Sequence, residues 1–182
     1  GREETRTESR GTYNELEARI CRELLNSITE KEIYAAPEQI GIISAYKDQV
    51  KRIKKEIREI TGPKRANEMA ATLDSFQGQE RDLILYSFTK SSGKKASMNR
   101  IGFLNELRRL NVAMSRCKKM LIMIGDMTFL SGCMHQNVDE NGKEIYAQSE
   151  KEFSDFICKM MKDVQNGRGE MISYEELKER LG

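Results

Sequence analysis

The 182-residue sequence contains no apolar run near the roughly 20 residues that a membrane-spanning helix requires. It has no signal-peptide pattern at its start, no internal repeat and no low-complexity tract. The net charge of +2 is too small to indicate nucleic-acid binding by itself. With 38% hydrophobic and 33% charged residues, the composition is typical of one soluble globular domain with a highly charged surface.

Residues for structural metal sites and for local nucleophilic catalysis are also scarce. The four cysteines form no Cys-x-x-Cys pair, and only Cys133 has a histidine nearby in sequence, at His135. Two further zinc ligands are missing there, so we expect no metal site and free thiols in a reducing cytosol or nucleus. A small-molecule α/β enzyme is a weak alternative, because His135 is the only histidine available as a base.

Apolar periodicity divides the chain into alternating helices and strands. Asn14 and Glu17 have the spacing of a capping box at the start of the first helix. Residues 1–12 are polar and are predicted to be a flexible lead-in, followed by one lobe at 13–165 and a helical extension at 166–182. Strands are predicted at Ile40–Ile43, Met69–Leu73, Leu83–Phe88 and Met120–Ile124, and helices at 14–28, 47–60, 104–115, 149–161 and from Ser173 onward.

This alternation predicts an α/β fold with a mostly parallel sheet and helices on both faces. The strand Ile40–Ile43 is apolar at both parities, as expected for a strand that is covered on both sides. Polar or small residues follow three of the predicted strands, at Ser44, Asp74 and Gly125. Because the carboxyl ends of parallel strands bind ligands in such folds, we expect these residues to converge on one edge of the sheet.

Two sequence segments, Ala71–Glu80 and Arg108–Arg116, contain the candidate nucleotide-binding residues. We expect both segments to face one crevice that binds a nucleotide. Gly78 allows a positive φ or a close backbone approach, and Glu80 beside it could accept hydrogen bonds from ribose hydroxyls. The alternative is an ordinary turn with a solvated Glu80. Arg116 has a guanidinium fork suited to phosphate oxygens, and the alternative is that it merely complements the carboxyl end of a helix.

The second predicted helix has a strongly basic face that extends past a Gly-Pro turn. One interpretation is an electrostatic footprint for phosphates, and the other is an ordinary solvated helix face. No aromatic residue interleaves the run, so stacking on bases is not indicated. The basic residues are Lys51, Arg52, Lys54, Lys55, Arg58, Lys64 and Arg65.

Four segments together resemble the second RecA-like lobe of superfamily 1 helicases, in the branch of the nonsense-mediated-decay helicase and senataxin. Ile40–Gln49 resembles helicase motif IV, and Thr72–Glu80 resembles motif V. Gly102–Asn105 with Arg108–Arg116 resembles motif VI, and Thr12–Ala18 resembles the asparagine–glutamate segment before the first helix of that lobe. The resemblance covers roughly residues 11–130, and motifs V and VI in this order and spacing are specific.

The resemblance implies a RecA-like fold and a role for each matching residue. Arg116 would be the arginine finger on the γ-phosphate of ATP, and Glu80 would hold the ribose with Gly78 allowing a close approach. Arg109 would support the nucleotide edge. The remaining residues would contact or border the nucleic-acid backbone, and they are Ser44, Tyr46, Thr72 and Ser75.

The sequence has no Gly-x-x-x-x-Gly-Lys-Ser/Thr phosphate loop and no Walker B acidic pair. The resemblance therefore implies half of a motor, whose partners are single-stranded nucleic acid and a first RecA-like lobe of the same protein. That first lobe would supply the phosphate lysine and the ligands of the magnesium ion that accompanies ATP. The alternative is a stand-alone, non-enzymatic module that binds nucleic acid or a partner.

Overall fold

A computed structural model of the chain describes residues 3–5, 12–31, 37–76, 78–91, 107–132, 141 and 148–181. The strands are β1 (Glu3–Thr5), β2 (Thr12–Asn14), β3 (Ile40–Ser44), β4 (Ala70–Thr72), β5 (Arg81–Ser87) and β6 (Cys117–Ile124). The α-helices are α1 (Glu15–Glu30), α2 (Lys47–Thr61), α3 (Pro63–Met69), α4 (Leu107–Met114), α5 (Met127–Gly132), α6 (Gln148–Asp163) and α7 (Tyr174–Leu181). A 3-10 turn at Pro37–Gln39 precedes β3, and a π-type turn at Val164–Arg168 follows α6.

Four parallel strands form the main sheet in the order β4-β3-β5-β6. Ser44 lies opposite both Thr72 and Ser87, and Ser87 lies opposite Ile124. The carboxyl ends of all four strands therefore form one row across the sheet. This arrangement confirms the predicted α/β fold and is that of a RecA-like domain.

Apolar residues cover both faces of the sheet, which explains why apolar and polar residues do not alternate along the central strands. Even-numbered residues of β3 pack with odd-numbered residues of β5 against α1, α2 and α3, and the opposite parities pack against α4, α5 and α6. The first face carries Ile40, Ile42, Leu83 and Leu85, and the second carries Ile43, Ile84 and Tyr86. The prediction of helices on both faces is confirmed.

Several short elements were missed by the sequence analysis. Within the predicted lead-in, β1 pairs antiparallel with β2. The helices α3 and α5 span only seven and six residues, too few for an apolar period to emerge. The sequence also predicts a small surface hairpin at Asn141-Gly142 and a polar, basic loop at Ser91–Arg100, and of these segments the structure describes only Ser91 and Asn141.

A buried polar cluster joins α1 and α2 to the end of β5. The Asn14 side chain caps α1 by accepting a hydrogen bond from the Glu17 amide at 3.2 Å, as predicted. Glu17 returns a bond through its side chain, because Asn14 Nδ2 donates to Glu17 Oε1 at 3.1 Å, while the Asn14 backbone amide donates to Gln49 Oε1 at 2.6 Å. The Glu17 carboxylate turns inward and accepts bonds from the Ser87 hydroxyl at 2.6 Å and the Thr89 amide at 2.8 Å. Thr89 adopts a φ of 72°, so this cluster also holds a strained backbone turn.

The connection from β4 to β5 crosses the second face of the sheet. It starts at the carboxyl end of β4, where the Leu73 amide donates to the Ser44 carbonyl at 3.2 Å. Its buried Phe76 ring lies directly over Gly41 of β3, so close that a Cβ on Gly41 would stand 2.5 Å from Phe76 Cζ. Glycine at position 41 therefore makes the close crossing possible.

Adding a methyl group at position 41 should destabilise the domain. We expect Gly41→Ala to lower the free energy of unfolding by about 1–3 kcal/mol, because the new Cβ would overlap the buried Phe76 ring and crowd Arg81 Cγ at 3.1 Å. Urea denaturation of both proteins measures the difference. The control is Gly169→Ala, where the nearest atom to the new Cβ would be Val164 Cγ2 at 3.4 Å, an ordinary contact. Equal effects of the two substitutions would contradict the role of Gly41.

Because the Glu17 carboxyl group is buried, we expect the free energy of unfolding to depend on pH. Burial raises the pKa of this group from 4.5 to about 7, although hydrogen bonds from Ser87 and Thr89 oppose the rise. Between these values the folded state holds the proton more tightly than the unfolded state, so the free energy of unfolding falls as pH rises. The loss through this window should be about 3 kcal/mol in wild type and absent in Glu17→Gln.

Urea denaturation of wild type and Glu17→Gln from pH 4 to pH 8 measures this loss, and the difference between the two curves isolates the carboxyl group. The charge of Asp126 contributes to the raised pKa of Glu17. Asp126→Asn should therefore move the window to lower pH. Parallel curves for wild type and Glu17→Gln would show that Glu17 does not titrate in this window.

Candidate functional site

The structure places the predicted site residues at two opposite edges of the sheet. Ser44 and Thr72 end neighbouring strands at the carboxyl edge, which confirms the predicted convergence there. Gly78 and Glu80 precede β5 and Arg116 precedes β6, so these three residues lie at the amino edge. The expectation that the motif residues share one edge therefore needs correction, because the β4–β5 connection carries its second half across the sheet.

At the amino edge, the carboxyl-terminal ends of the segments Ala71–Glu80 and Arg108–Arg116 lie next to each other. The Arg81 amide donates to the Arg116 carbonyl at 2.9 Å, and Arg81 lies opposite Cys117 in the β5–β6 pair. Glu80 and Arg116 therefore occupy adjacent positions at the starts of neighbouring strands. Gly78 has a φ of 82°, the left-handed backbone that glycine readily adopts. The exposed Glu80 carboxylate pairs with Lys118 Nζ at 3.1 Å.

Arg116 has a fixed backbone and a side chain with unused hydrogen-bonding capacity. Its amide donates to the Ala113 carbonyl at 3.2 Å, which closes the last turn after α4. Its Nε is buried and has no hydrogen-bond partner within the part of the chain that the structure describes. Arg109 lies two turns earlier on α4, and its side chain falls outside that part.

Arg81 is a residue of this edge that the sequence analysis missed. Its guanidinium carbon lies 5.2 Å from the centroid of the Phe76 ring. One terminal nitrogen donates to the Glu80 carbonyl at 2.9 Å, and the other donates to Gln79 Oε1 at 2.8 Å. The sequence carried no signal for these contacts, since Arg81 reads as the solvated start of a strand.

At the carboxyl edge, two hydroxyl groups are exposed side by side. Thr72 Oγ1 and Ser75 Oγ are 2.9 Å apart, and the Ser75 amide donates to Thr72 Oγ1 at 3.3 Å. Nearby, the half-buried Tyr46 ring has Lys90 Nζ at 5.6 Å from its centroid. Lys90 was also missed, because it follows β5 without any motif around it.

Ser44 occupies a different environment from the other predicted nucleic-acid contacts. Its side chain is fully buried, and its hydroxyl lies 2.9 Å from the Thr89 hydroxyl. It also accepts a hydrogen bond from the Tyr46 amide at 3.3 Å. In this conformation Ser44 supports the carboxyl edge from beneath and holds the backbone that carries Tyr46.

Some of the basic residues on α2 form ion pairs within the chain. Arg52 pairs with Glu15 of α1 and with Glu56, so it ties two helices together. Lys51 pairs with Asp48 at 2.9 Å. The exposed members are Lys51, Lys55, Arg58, Lys64 and Arg65.

Among the described residues, no cluster of histidine, cysteine or acidic side chains has the arrangement of a metal site. Cys21, Cys117 and Cys158 are free thiols, and Cys133 and His135 lie outside the described residues. In the described part of the chain, no helix is both long enough and apolar enough to span a bilayer.

Comparison with known proteins identifies the family. The AAA domain family matches residues 1–128 of the chain. The chain is 38% identical over 122 residues to the DNA polymerase alpha-associated DNA helicase A of Saccharomyces cerevisiae, which covers 66% of this chain and 16% of that protein. It is 29% identical over 176 residues to Helicase SEN1 of the same yeast, covering 94% of this chain and 8% of that protein. It is 32% identical over 134 residues to the ATP-dependent helicase upf1 of Schizosaccharomyces pombe, covering 72% of this chain and 14% of that protein.

Proposed function

This chain belongs to the AAA domain family, in the branch of superfamily 1 helicases that resemble SEN1 and upf1, and we propose that it is the carboxyl-terminal motor lobe of an ATP-dependent nucleic-acid helicase or translocase. The observation that carries this proposal is the meeting of Glu80 and Arg116 at the amino edge, joined through the Arg81–Arg116 backbone bond. The chain spans only 8–16% of the length of the three relatives named above. The motor activity is therefore proposed for a longer protein that contains this lobe.

The amino edge is the proposed nucleotide side. Arg116 would stabilise the charge that develops on the transferred γ-phosphoryl group, and Glu80 would accept hydrogen bonds from the ribose. Gly78 would let the nucleotide approach the backbone, and Arg109 would support this edge from α4. The position of Arg116 supports the assignment, because its backbone is fixed beside the start of β5 and its guanidinium fork suits phosphate oxygens.

ATP supplies the phosphoanhydride bond whose hydrolysis drives the proposed motor. The amino-edge side chains fit an anionic nucleotide, since Arg116 offers donors to phosphate and Glu80 offers acceptors to hydroxyl groups. From the resemblance to superfamily 1 helicases, we assign the magnesium ligands and the phosphate-binding lysine to a first RecA-like lobe, with the nucleotide between the two lobes.

The carboxyl edge is the proposed nucleic-acid side. The exposed hydroxyls of Thr72 and Ser75 can bond phosphate oxygens of a single strand, and Lys90 adds a positive charge beside Tyr46. Ser44 contributes by holding Tyr46 in place. We propose single-stranded nucleic acid in the cytoplasm or nucleus as the partner.

Residues 13–165 form the proposed lobe, preceded by a lead-in at 1–12 and followed by an extension at 166–182. The extension packs on the lobe through α7, where Leu177 is buried and the Tyr174 hydroxyl donates to Glu23 Oε1 at 3.4 Å. The two proposed binding edges lie within the lobe itself. The connection Leu73–Glu80 begins at one edge and ends at the other, so it links the nucleic-acid side to the nucleotide side directly.

The half-motor proposal predicts the ATPase activity of two proteins. This chain alone should hydrolyse ATP negligibly, because one lobe supplies only part of the catalytic charge. The longest native protein that contains it should hydrolyse ATP with stimulation by single-stranded RNA or DNA. A coupled ATPase assay with and without each nucleic acid measures both. Robust activity of the 182-residue chain would overturn the proposal.

Arg116 can be tested in the two-lobed protein. Arg116→Ala should lower kcat for ATP by about 1,000-fold or more, because an arginine finger acts mainly in the transition state. Arg116→Lys should recover little, since an ammonium group cannot reproduce the guanidinium fork. The control is Arg19→Ala, which removes an exposed arginine on α1. Unchanged turnover in Arg116→Ala would remove Arg116 from this role.

A further inference from the structure

We propose that Arg81 is a positioning residue that holds the loop Gly78–Glu80 in the conformation that receives the ribose. The inference rests on the proposed nucleotide role of Glu80 and extends it to a residue outside the helicase motifs. Arg81 would act through the loop and would not contact the nucleotide itself. Three independent features of its placement support this role.

The first feature is the direction of the side chain. Arg81 has the parity of Leu83 and Leu85, which pack against the first face of the sheet. Its guanidinium instead lies on the second face, over Phe76. Arg81 precedes Leu83, the first residue of β5 that pairs with β3, and its Cγ would lie 3.1 Å from a Cβ on Gly41. The side chain therefore lies on the same side of the sheet as the crossing loop and contacts that loop.

The second feature is the geometry of the contacts. The two terminal nitrogens of Arg81 donate to two consecutive residues of the loop, to Gln79 Oε1 and to the Glu80 carbonyl. The guanidinium carbon also lies 5.2 Å from the centroid of the Phe76 ring, which lies over Gly41. A planar fork can satisfy both acceptors and the ring together, whereas a lysine would supply a single point charge. The Glu80 backbone is therefore fixed while its carboxylate remains exposed.

The third feature is a backbone hydrogen bond from Arg81 to the segment Arg108–Arg116. The Arg81 amide donates to the Arg116 carbonyl at 2.9 Å. One residue thus bonds the Glu80 loop through its side chain and the Arg116 segment through its backbone. Arg81 sets the relative placement of the proposed ribose acceptor and the proposed arginine finger.

The test is steady-state ATPase kinetics of the two-lobed protein with Arg81→Met, Arg81→Lys and the control Arg19→Met. Methionine keeps an apolar chain against Phe76 but removes both donors. We expect Arg81→Met to raise KM for ATP roughly tenfold with kcat within about threefold of wild type, because a loop contact to the ribose adds binding in ground and transition state alike. Arg81→Lys should recover part of the loss, and Arg19→Met should change neither constant.

A double-mutant cycle with Glu80→Ala separates positioning from simple destabilisation. If Arg81 acts through Glu80, then Arg81→Met should add little to the KM of Glu80→Ala. Thermal unfolding of every variant shows that the kinetics come from folded protein, and Arg81→Lys serves if the methionine variant does not fold. An unchanged KM in folded Arg81 variants, or a full multiplicative effect in the Glu80→Ala background, would overturn the inference and leave the proposed function standing. An unchanged KM in Glu80→Ala itself would overturn the ribose assignment, and this inference with it.

Discussion

The connection between β4 and β5 imposes the main constraint on this fold. The two strands are parallel and β3 lies between them, so the chain must return from the carboxyl edge to the amino edge before β5 can start. Parallel strands usually achieve this with a helix, whereas here the eight residues 73–80 do so. A stretch of eight residues spans at most about 28 Å, and a five-residue strand is about 17 Å long. The loop is therefore long enough to fold into turns on its way, closed by bonds from the Phe76 amide to the Thr72 carbonyl and from the Gln79 amide to the Phe76 carbonyl, and its Phe76 lies on the backbone of β3 at Gly41.

The buried polar cluster around Glu17 provides a second constraint, which is electrostatic and does not depend on chain connectivity. Burying a carboxylate is costly, and the raised pKa of Glu17 reflects that cost. The hydrogen bonds from Ser87 and Thr89 offset part of it and fix the left-handed turn at Thr89. The Thr89 hydroxyl in turn meets Ser44 at the end of β3. A costly interaction beneath the carboxyl edge therefore determines the backbone on which the proposed nucleic-acid contacts lie.

The fold could be predicted well where apolar residues follow a clear pattern. The strands at 40–44 and 81–87 contain continuous apolar runs, and the helix at 47–61 buries apolar residues at helical spacing. The short helices α3 and α5 escaped detection, as did the pairing of β1 with β2, because tertiary contacts rather than periodicity stabilise such elements. The motif residues were recognisable from their order, but their division between two edges depends on where a loop crosses the sheet, which spacing does not show. The contacts of Arg81 could not be predicted for the same reason, since Arg81 makes them with the crossing loop.

Arg116 combines a fixed backbone with a side chain whose torsions can still change. Its amide is bonded to the last turn of α4, and its carbonyl is bonded to the start of β5. Only Ser115 and Arg116 separate α4 from β6, because the helix ends at Met114 and the strand begins at Cys117. The backbone therefore contributes almost no freedom, and only the side-chain torsions remain. In the proposed role of Arg116, this fixed backbone would reduce the reorganisation needed to bind a phosphate, and low reorganisation is what makes a preorganised cation effective.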